Sequence, residues 1–100
     1  VLDRLSICNS NIGDVGLEHL SKVLPKMKAL QFLYLNGNNI GDAGLAHLHE
    51  ALPEIPKRFR SLYLHRNNIS EKAKSRFRQY WKRKMELNGT WHMRYGCLTL

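Results

Sequence analysis

Acidic residues are scarce in this chain: eight Asp or Glu stand against sixteen Lys or Arg, for a formal charge of +8 over 100 residues. Cysteine is scarcer still. Cys8 and Cys97 are too few for a disulfide framework or a thiolate zinc site. No apolar run approaches the length of a membrane-spanning helix, and no charged start leads into a signal-peptide core. The length excludes an enzyme with separate substrate and cofactor lobes. At 43% hydrophobic residues the chain is too apolar for a disordered tail. There is no initiator Met, and the chain opens at Val1 in mid-pattern, which we read as a fragment of a longer protein.

What is abundant is leucine, with sixteen copies, and asparagine, with eight. Their spacing is regular. Residues 5–20 read LSICNSNIGDVGLEHL and residues 33–48 read LYLNGNNIGDAGLAHL, an offset of 28. A third copy at residues 62–77, LYLHRNNISEKAKSRF, follows at an offset of 29. Each copy fits L-x-x-L-x-L-x-x-N-x-L. The second uses Leu30, Leu33, Leu35, Asn38 and Ile40; the third uses Phe59, Leu62, Leu64, Asn67 and Ile69. The first uses Leu2, Leu5, Ile7, Ser10 and Ile12, with Ser10 where Asn belongs.

In L-x-L the two leucines point to one side of a strand and the residues between them to the other. The Asn then falls where the chain leaves the strand, and its amide can serve the backbone of that turn and of the next coil. Beyond Ile12 and Ile40 the period changes to three and four, which is helical. Asp14 and Asp42 sit at the helix starts as caps or first-turn acids. Gly16 and Gly44 lower helix propensity there, and we expect them to permit close approach of helix to strand. Pro25 and Pro53 mark the helix ends.

The pattern resembles leucine-rich-repeat proteins, in particular the ribonuclease-inhibitor-like subclass with repeats of 28–29 residues. The resemblance covers residues 1 to about 85. It implies an α/β solenoid with a curved parallel sheet inside and helices outside. Two repeats, 1–29 and 30–58, would lead into a third, 59–87, that degenerates into a basic capping helix from about Glu71 to Leu87. Residues 88–100 form a tail. Its Asn88-Gly89 signals a turn, and its apolar Trp91, Met93, Tyr95, Leu98 and Leu100 are expected to fold back over the exposed edge of the last unit. No matching cap exists at Val1, so further repeats are expected before it.

Charge is concentrated. Residues 1–56 hold four Lys or Arg and six acids, whereas residues 57–84 hold eleven Lys or Arg and one acid, Glu71. Lys74, Arg78 and Lys82 make one i, i+4 row on the last helix, flanked by Lys72, Arg76, Arg83 and Lys84. This basic patch is a solvated face, a dock for an acidic protein, or a site for nucleic acid or anionic lipid. Phe77 and Trp81 fall on the inward stripe, which weighs against base stacking.

No catalytic constellation or metal site is apparent, and no cofactor is expected. His19 and His47 are equivalent by repetition; His47 and His49 face apart on a helix. No general base accompanies Cys8. The sequons at Asn68 and Asn88 matter only in a secreted protein, and the sparse cysteines favour a reducing compartment. We therefore expect a cytoplasmic chain, with a cytoskeletal or ciliary setting as the finer expectation.

The expected functional surface is the strand face opposite the core, with Arg4, Ser6, Phe32, Tyr34, Asn36, Ser61, Tyr63, His65 and Arg66. Aromatic anchors on such a face dominate interface energetics. The expected function is a non-catalytic protein-binding or scaffold module. Two alternatives remain open: an RNA- or ribonucleoprotein-binding protein using the basic helix, and the ligand-sensing region of an intracellular innate-immune receptor.

Overall fold

A computed structural model describes residues 2–56, 58–87 and 97–100. Strands β1 (Arg4–Ser6), β2 (Phe32–Tyr34), β3 (Ser61–Tyr63) and β4 (Cys97–Thr99) form one sheet in that order, and every pair is parallel. Helices α1 (Gly13–Val23), α2 (Asp42–Ala51) and α3 (Glu71–Leu87) alternate with them. The class is α/β, and the register follows the repeat: Leu5 pairs with Leu33, Leu33 with Leu62, and Leu62 with Leu98.

One apolar cluster lies between the sheet and the helices. Leu33, Leu35, Leu62 and Leu64 reach it from the strands and turns, and Leu17, Leu45, Leu48 and Phe77 from the helices. On α3 the stripe of Phe77, Trp81 and Met85 is buried, with Ala73 and Tyr80 at its margins. Trp81 meets Phe59 edge to face, with ring centroids 5.9 Å apart. Pro25 and Pro53 mark the helix ends as expected, α1 closing at Val23 and α2 at Ala51. Each sits inside a single 3-10 turn, Leu24–Lys26 and Leu52–Glu54, that continues the helix before it, a place where a missing N–H costs no bond.

Leu2 departs from its expected inward role. It is 53% exposed, whereas its repeat equivalents Leu30 and Phe59 are fully buried. It lies at the β1 edge of the sheet, where no further strand covers it among the described residues. At the opposite edge, β4 pairs with β3, so residues 97–99 cover that edge with a strand beyond the three repeat copies. The expectations for Asn88, Gly89, Trp91, Met93 and Tyr95 fall outside the described residues.

The asparagines bind units together. Asn67 Oδ1 accepts from the backbone N–H groups of Asn38 (2.8 Å) and Ile40 (2.9 Å) in the unit before it. Its Nδ2 donates to Leu35 O and Leu64 O. Asn38 repeats the arrangement one unit earlier, accepting from Ser10 N at 2.8 Å and donating to Ile7 O and Leu35 O. Ser10, lacking an NH2, turns its hydroxyl to Cys8 O instead.

Asp14 and Asp42 are first-turn acids of α1 and α2 rather than their caps. Neither α1 nor α2 is capped by a side chain of its own N-cap residue. Instead, Asp14 reaches out of α1 to the start of α2, its Oδ1 accepting from Gly41 N (2.7 Å) and Gly44 N (3.0 Å). Asp42 does the same for α3, accepting from Ser70 N (2.8 Å) and Ser70 Oγ (2.7 Å). The glycine at 44 is explained by this contact rather than by a helix–strand approach alone. A Cβ there would fall 2.5 Å from Asp14 Oδ1 and 3.0 Å from Ile40 Cγ2. The third unit has Ala73 at the equivalent place, and the Ser70 hydroxyl relays the bond, accepting from Ala73 N at 3.2 Å.

Two outcomes follow from these bonds. Replacing Asn67 by Ala strands two backbone donors and should cost on the order of 2–3 kcal/mol in urea denaturation. Asn68→Ala, on an exposed neighbour, should stay within about 0.5 kcal/mol. The Asp42 carboxyl is held below its ordinary value of 3.8 by the Ser70 N–H first and the Ser70 hydroxyl second. Its contribution to stability is present above the unfolded value and is lost as pH falls through the lowered one. Acid titration of Asp42→Asn should therefore show a smaller loss of stability below that value than the parent chain shows.

Candidate functional site

The side chains alternate along each strand, so the leucines enter the core and their neighbours line the other face. Across that face the register sets two rows: Arg4, Phe32, Ser61 and Cys97, and Ser6, Tyr34, Tyr63 and Thr99. In the first row the Phe32 ring is flanked by two guanidinium groups, with Arg4 Cζ 4.9 Å and Arg60 Cζ 5.8 Å from its centroid. Each such contact is worth about 0.5–1 kcal/mol at an exposed site. In the second row Tyr34 and Tyr63 stack with parallel planes and centroids 4.5 Å apart, close to the ~4.8 Å spacing of neighbouring strands. Two equivalent tyrosines on strands in register must meet this way if their side chains take the same rotamer.

Burial pushes the Tyr63 hydroxyl above its ordinary pKa, and Cys97 and Tyr34 beside it act in the same direction; Ser61 opposes them. Tyr63 thus remains a neutral phenol at neutral pH, with a proton to donate. Asn36 and His65 are half-buried beyond the tyrosines, and Asn36 Oδ1 accepts from the Cys8 thiol at 3.1 Å. His65 Nδ1 is enclosed and makes no hydrogen bond to the described residues. Arg66 is exposed on left-handed backbone at φ 59°, where the first two units have Asn9 and Gly37.

Ser61 does not belong to the exposed surface as expected: only 4% of it is accessible. It is the smallest side chain in its row, set between Phe32 and Cys97 in register. Three contributors were not evident from strand alternation. Arg60 precedes β3, outside the alternating set, and reaches Phe32 through its length; its guanidinium also donates to Gln31 Oε1. Cys97 and Thr99 arrive on β4, beyond the three repeat copies.

The basic helix is not one patch. Lys72, Arg76, Arg78, Lys82 and Arg83 are exposed, but Lys74 and Lys84 are half-buried. Lys74 Nζ lies 3.4 Å from Glu71 Oε1. Desolvation lowers the pKa of Lys84. At 100° per residue, Lys72, Arg76 and Arg83 share the flank of α3 that carries Ala73 and Tyr80. Lys74, Arg78 and Lys82 share the opposite flank.

On the helical side, α1 and α2 pack closely. Leu48 and Ala51 of α2 have Phe77 and Tyr80 as their equivalents on α3, and His49 wedges between the helices. Its ring lies 4.1 Å from Tyr80 and 5.9 Å from Phe77. A cleft of about 300 Å³ opens there, lined by Asp42, Leu45, Ala46 and His49 from α2 and by Lys72, Ala73, Arg76 and Phe77 around the start of α3. Among the described residues no three potential metal ligands gather, and no helix is long and apolar enough to cross a membrane.

Comparison with protein-family models and with curated proteins finds no match for this chain.

Proposed function

We propose that the chain is part of a leucine-rich-repeat array of the ribonuclease-inhibitor-like kind and that it binds a partner protein on the strand face, without catalysis. The array reading is supported by the threefold consensus, by strands that pair at offsets of 28 and 29, and by asparagines that serve the turn of the preceding unit. Such an array curves, with its sheet on the concave side, and offers a row of side chains over several units to one partner.

The observation that carries the binding reading is the aromatic cluster on that face: Phe32 between Arg4 and Arg60, beside the stacked Tyr34 and Tyr63. These rings lie outside the apolar core. Their arginine neighbours favour a partner segment that carries carboxylates among its contacts. A scaffold role in the cytoplasm is the setting this reading favours, with Cys8 and Cys97 both free thiols. The RNA-binding alternative has less support, because Phe77 and Trp81 of the basic helix are buried and leave α3 only phosphate contacts.

The double variant Tyr34→Ala, Tyr63→Ala tests the proposal. Each truncation of an anchor should cost more than about 1 kcal/mol. Captured cytosolic partners should be bound at least about tenfold more weakly by the double variant, with the circular dichroism spectrum retained. Capture at parental strength would contradict the assignment of this face.

A further inference from the structure

We propose that the cleft between α2 and α3 is a second docking site, on the helical side of the molecule, for an acidic segment of a partner protein that seats an apolar side chain on the cleft floor. The site is independent of the strand face. It differs from the gap between α1 and α2 in its lining, because the third unit does not repeat the second: Phe77 stands on α3 where α2 has Leu48, and His49 lies against Phe77 and Tyr80 between the helices.

The floor is apolar: Ala46 and Ala73 are its accessible part, over the buried Leu45 and Phe77. Its volume, about 300 Å³, is at the lower end of pockets that bury a ligand, and suits one side chain rather than a whole small molecule. The rim is cationic. Lys72 and Arg76 are exposed and form no ion pair with the described residues. Arg83 continues the same flank of α3, about 16 Å beyond Lys72 at 1.5 Å per residue. An acidic strand or helix lying along the cleft would meet these three cations in succession.

Asp42 offsets one of these charges, and its two oxygens are held by the Ser70 N–H and hydroxyl, so the lining keeps an excess of one cation and Arg83 adds a second along the flank. Glu50 of α2 turns the other way, into the gap between α1 and α2, where it joins Glu18, Lys22 and His47. That second gap has mixed charge and no large apolar side chain in its lining, only Ser21 and Ala51 besides the polar groups. It serves as an internal control. A carboxylate-rich protein segment fits the α2–α3 cleft better than nucleic acid does. The cleft offers no open aromatic face for a base, since Phe77 is buried, but it does offer an apolar floor that a phosphate backbone cannot use.

Fluorescence anisotropy with the whole chain tests the site. The probe is a labelled peptide of glutamates with one central leucine, compared with the same peptide carrying serine at that place and with a labelled oligouridine. The account expects the leucine peptide to bind at least about fivefold more tightly than the serine peptide. Reversing the rim in Lys72→Glu, Arg76→Glu should weaken it by tenfold or more. Ala46→Trp, which fills the cleft without changing charge, should also weaken it by tenfold or more. Lys22→Glu in the other gap should leave it within twofold. Thermal melts of each variant confirm that the fold is kept. Equal binding of the leucine and serine peptides, or parental binding by Ala46→Trp, would overturn the proposal in favour of diffuse charge attraction. Tighter binding of oligouridine than of the leucine peptide would overturn it in favour of a nucleic-acid surface.

Discussion

The backbone of each unit leaves its strand through a turn whose N–H groups cannot all find partners within that unit, and the side chain that satisfies them belongs to the next one. Asn67 takes up two such donors, from Asn38 and Ile40, and Asn38 takes up that of Ser10. Buried polar backbone left unpaired is among the costliest defects a fold can carry. The turns are therefore sound only when the units are stacked. The aspartates add a bond in the opposite sense along the chain. Asp14 and Asp42 each hold the start of the following helix, where a carboxylate also answers the positive end of the helix dipole. One set of side chains reaches back and the other reaches forward, and between them every interface is fastened on both its strand side and its helix side.

The rest of the surface follows from this stacking. With strands fixed in register, equivalent residues must lie one strand spacing apart, and the Tyr34–Tyr63 stack and the Arg4–Phe32 contact are the products, to which Arg60 adds from outside the register. On the helical side, the lining of each gap depends on the side chains at equivalent places. The gap between α1 and α2 is lined mostly by polar groups, whereas the cleft between α2 and α3 has Leu45 and Phe77 beneath it and His49 against the Phe77 and Tyr80 rings. The +8 charge acquires a place by the same route: most of it lies on α3, divided between one flank facing the cleft and one facing away.

The strands, the helices and the asparagine bonds were legible because each rests on a period that survives in the sequence. Alternation marks Leu33 and Leu35 as inward and Tyr34 as outward, and the bounds expected for the last helix, Glu71 to Leu87, match α3. What escaped were contacts between units, which no local pattern encodes. Asp14 stands in the first turn of its own helix, as a cap-or-first-turn acid is expected to; its reach to Gly41 and Gly44 depends on where the neighbouring helix lies and has no local signal. Arg60 was overlooked because it falls outside the strand alternation. Ser61 falls on the open face by alternation yet is buried; β4 agrees with the expectation that the tail covers the last edge, and its Leu98-x-Leu100 continues the strand pattern of Leu62-x-Leu64. The basic row was taken as a single patch because spacing alone does not say which flank a neighbour occupies, and so Lys74 and Lys84 were counted with the exposed lysines.

The central claim is that units are completed by their neighbours' side chains. Native-state hydrogen exchange, read amide by amide, tests it most directly. The N–H groups of Ser10, Asn38, Ile40, Gly41, Gly44 and Ser70 lie outside the strands or at the first turns of helices, yet each has a side-chain acceptor from another unit. The account predicts that they are protected, and that they open with a free energy close to that of the Leu33 and Leu62 amides at the centres of the strands. If they exchange as freely as exposed loop amides while the strand centres stay protected, the units stand without these bonds and the account is wrong.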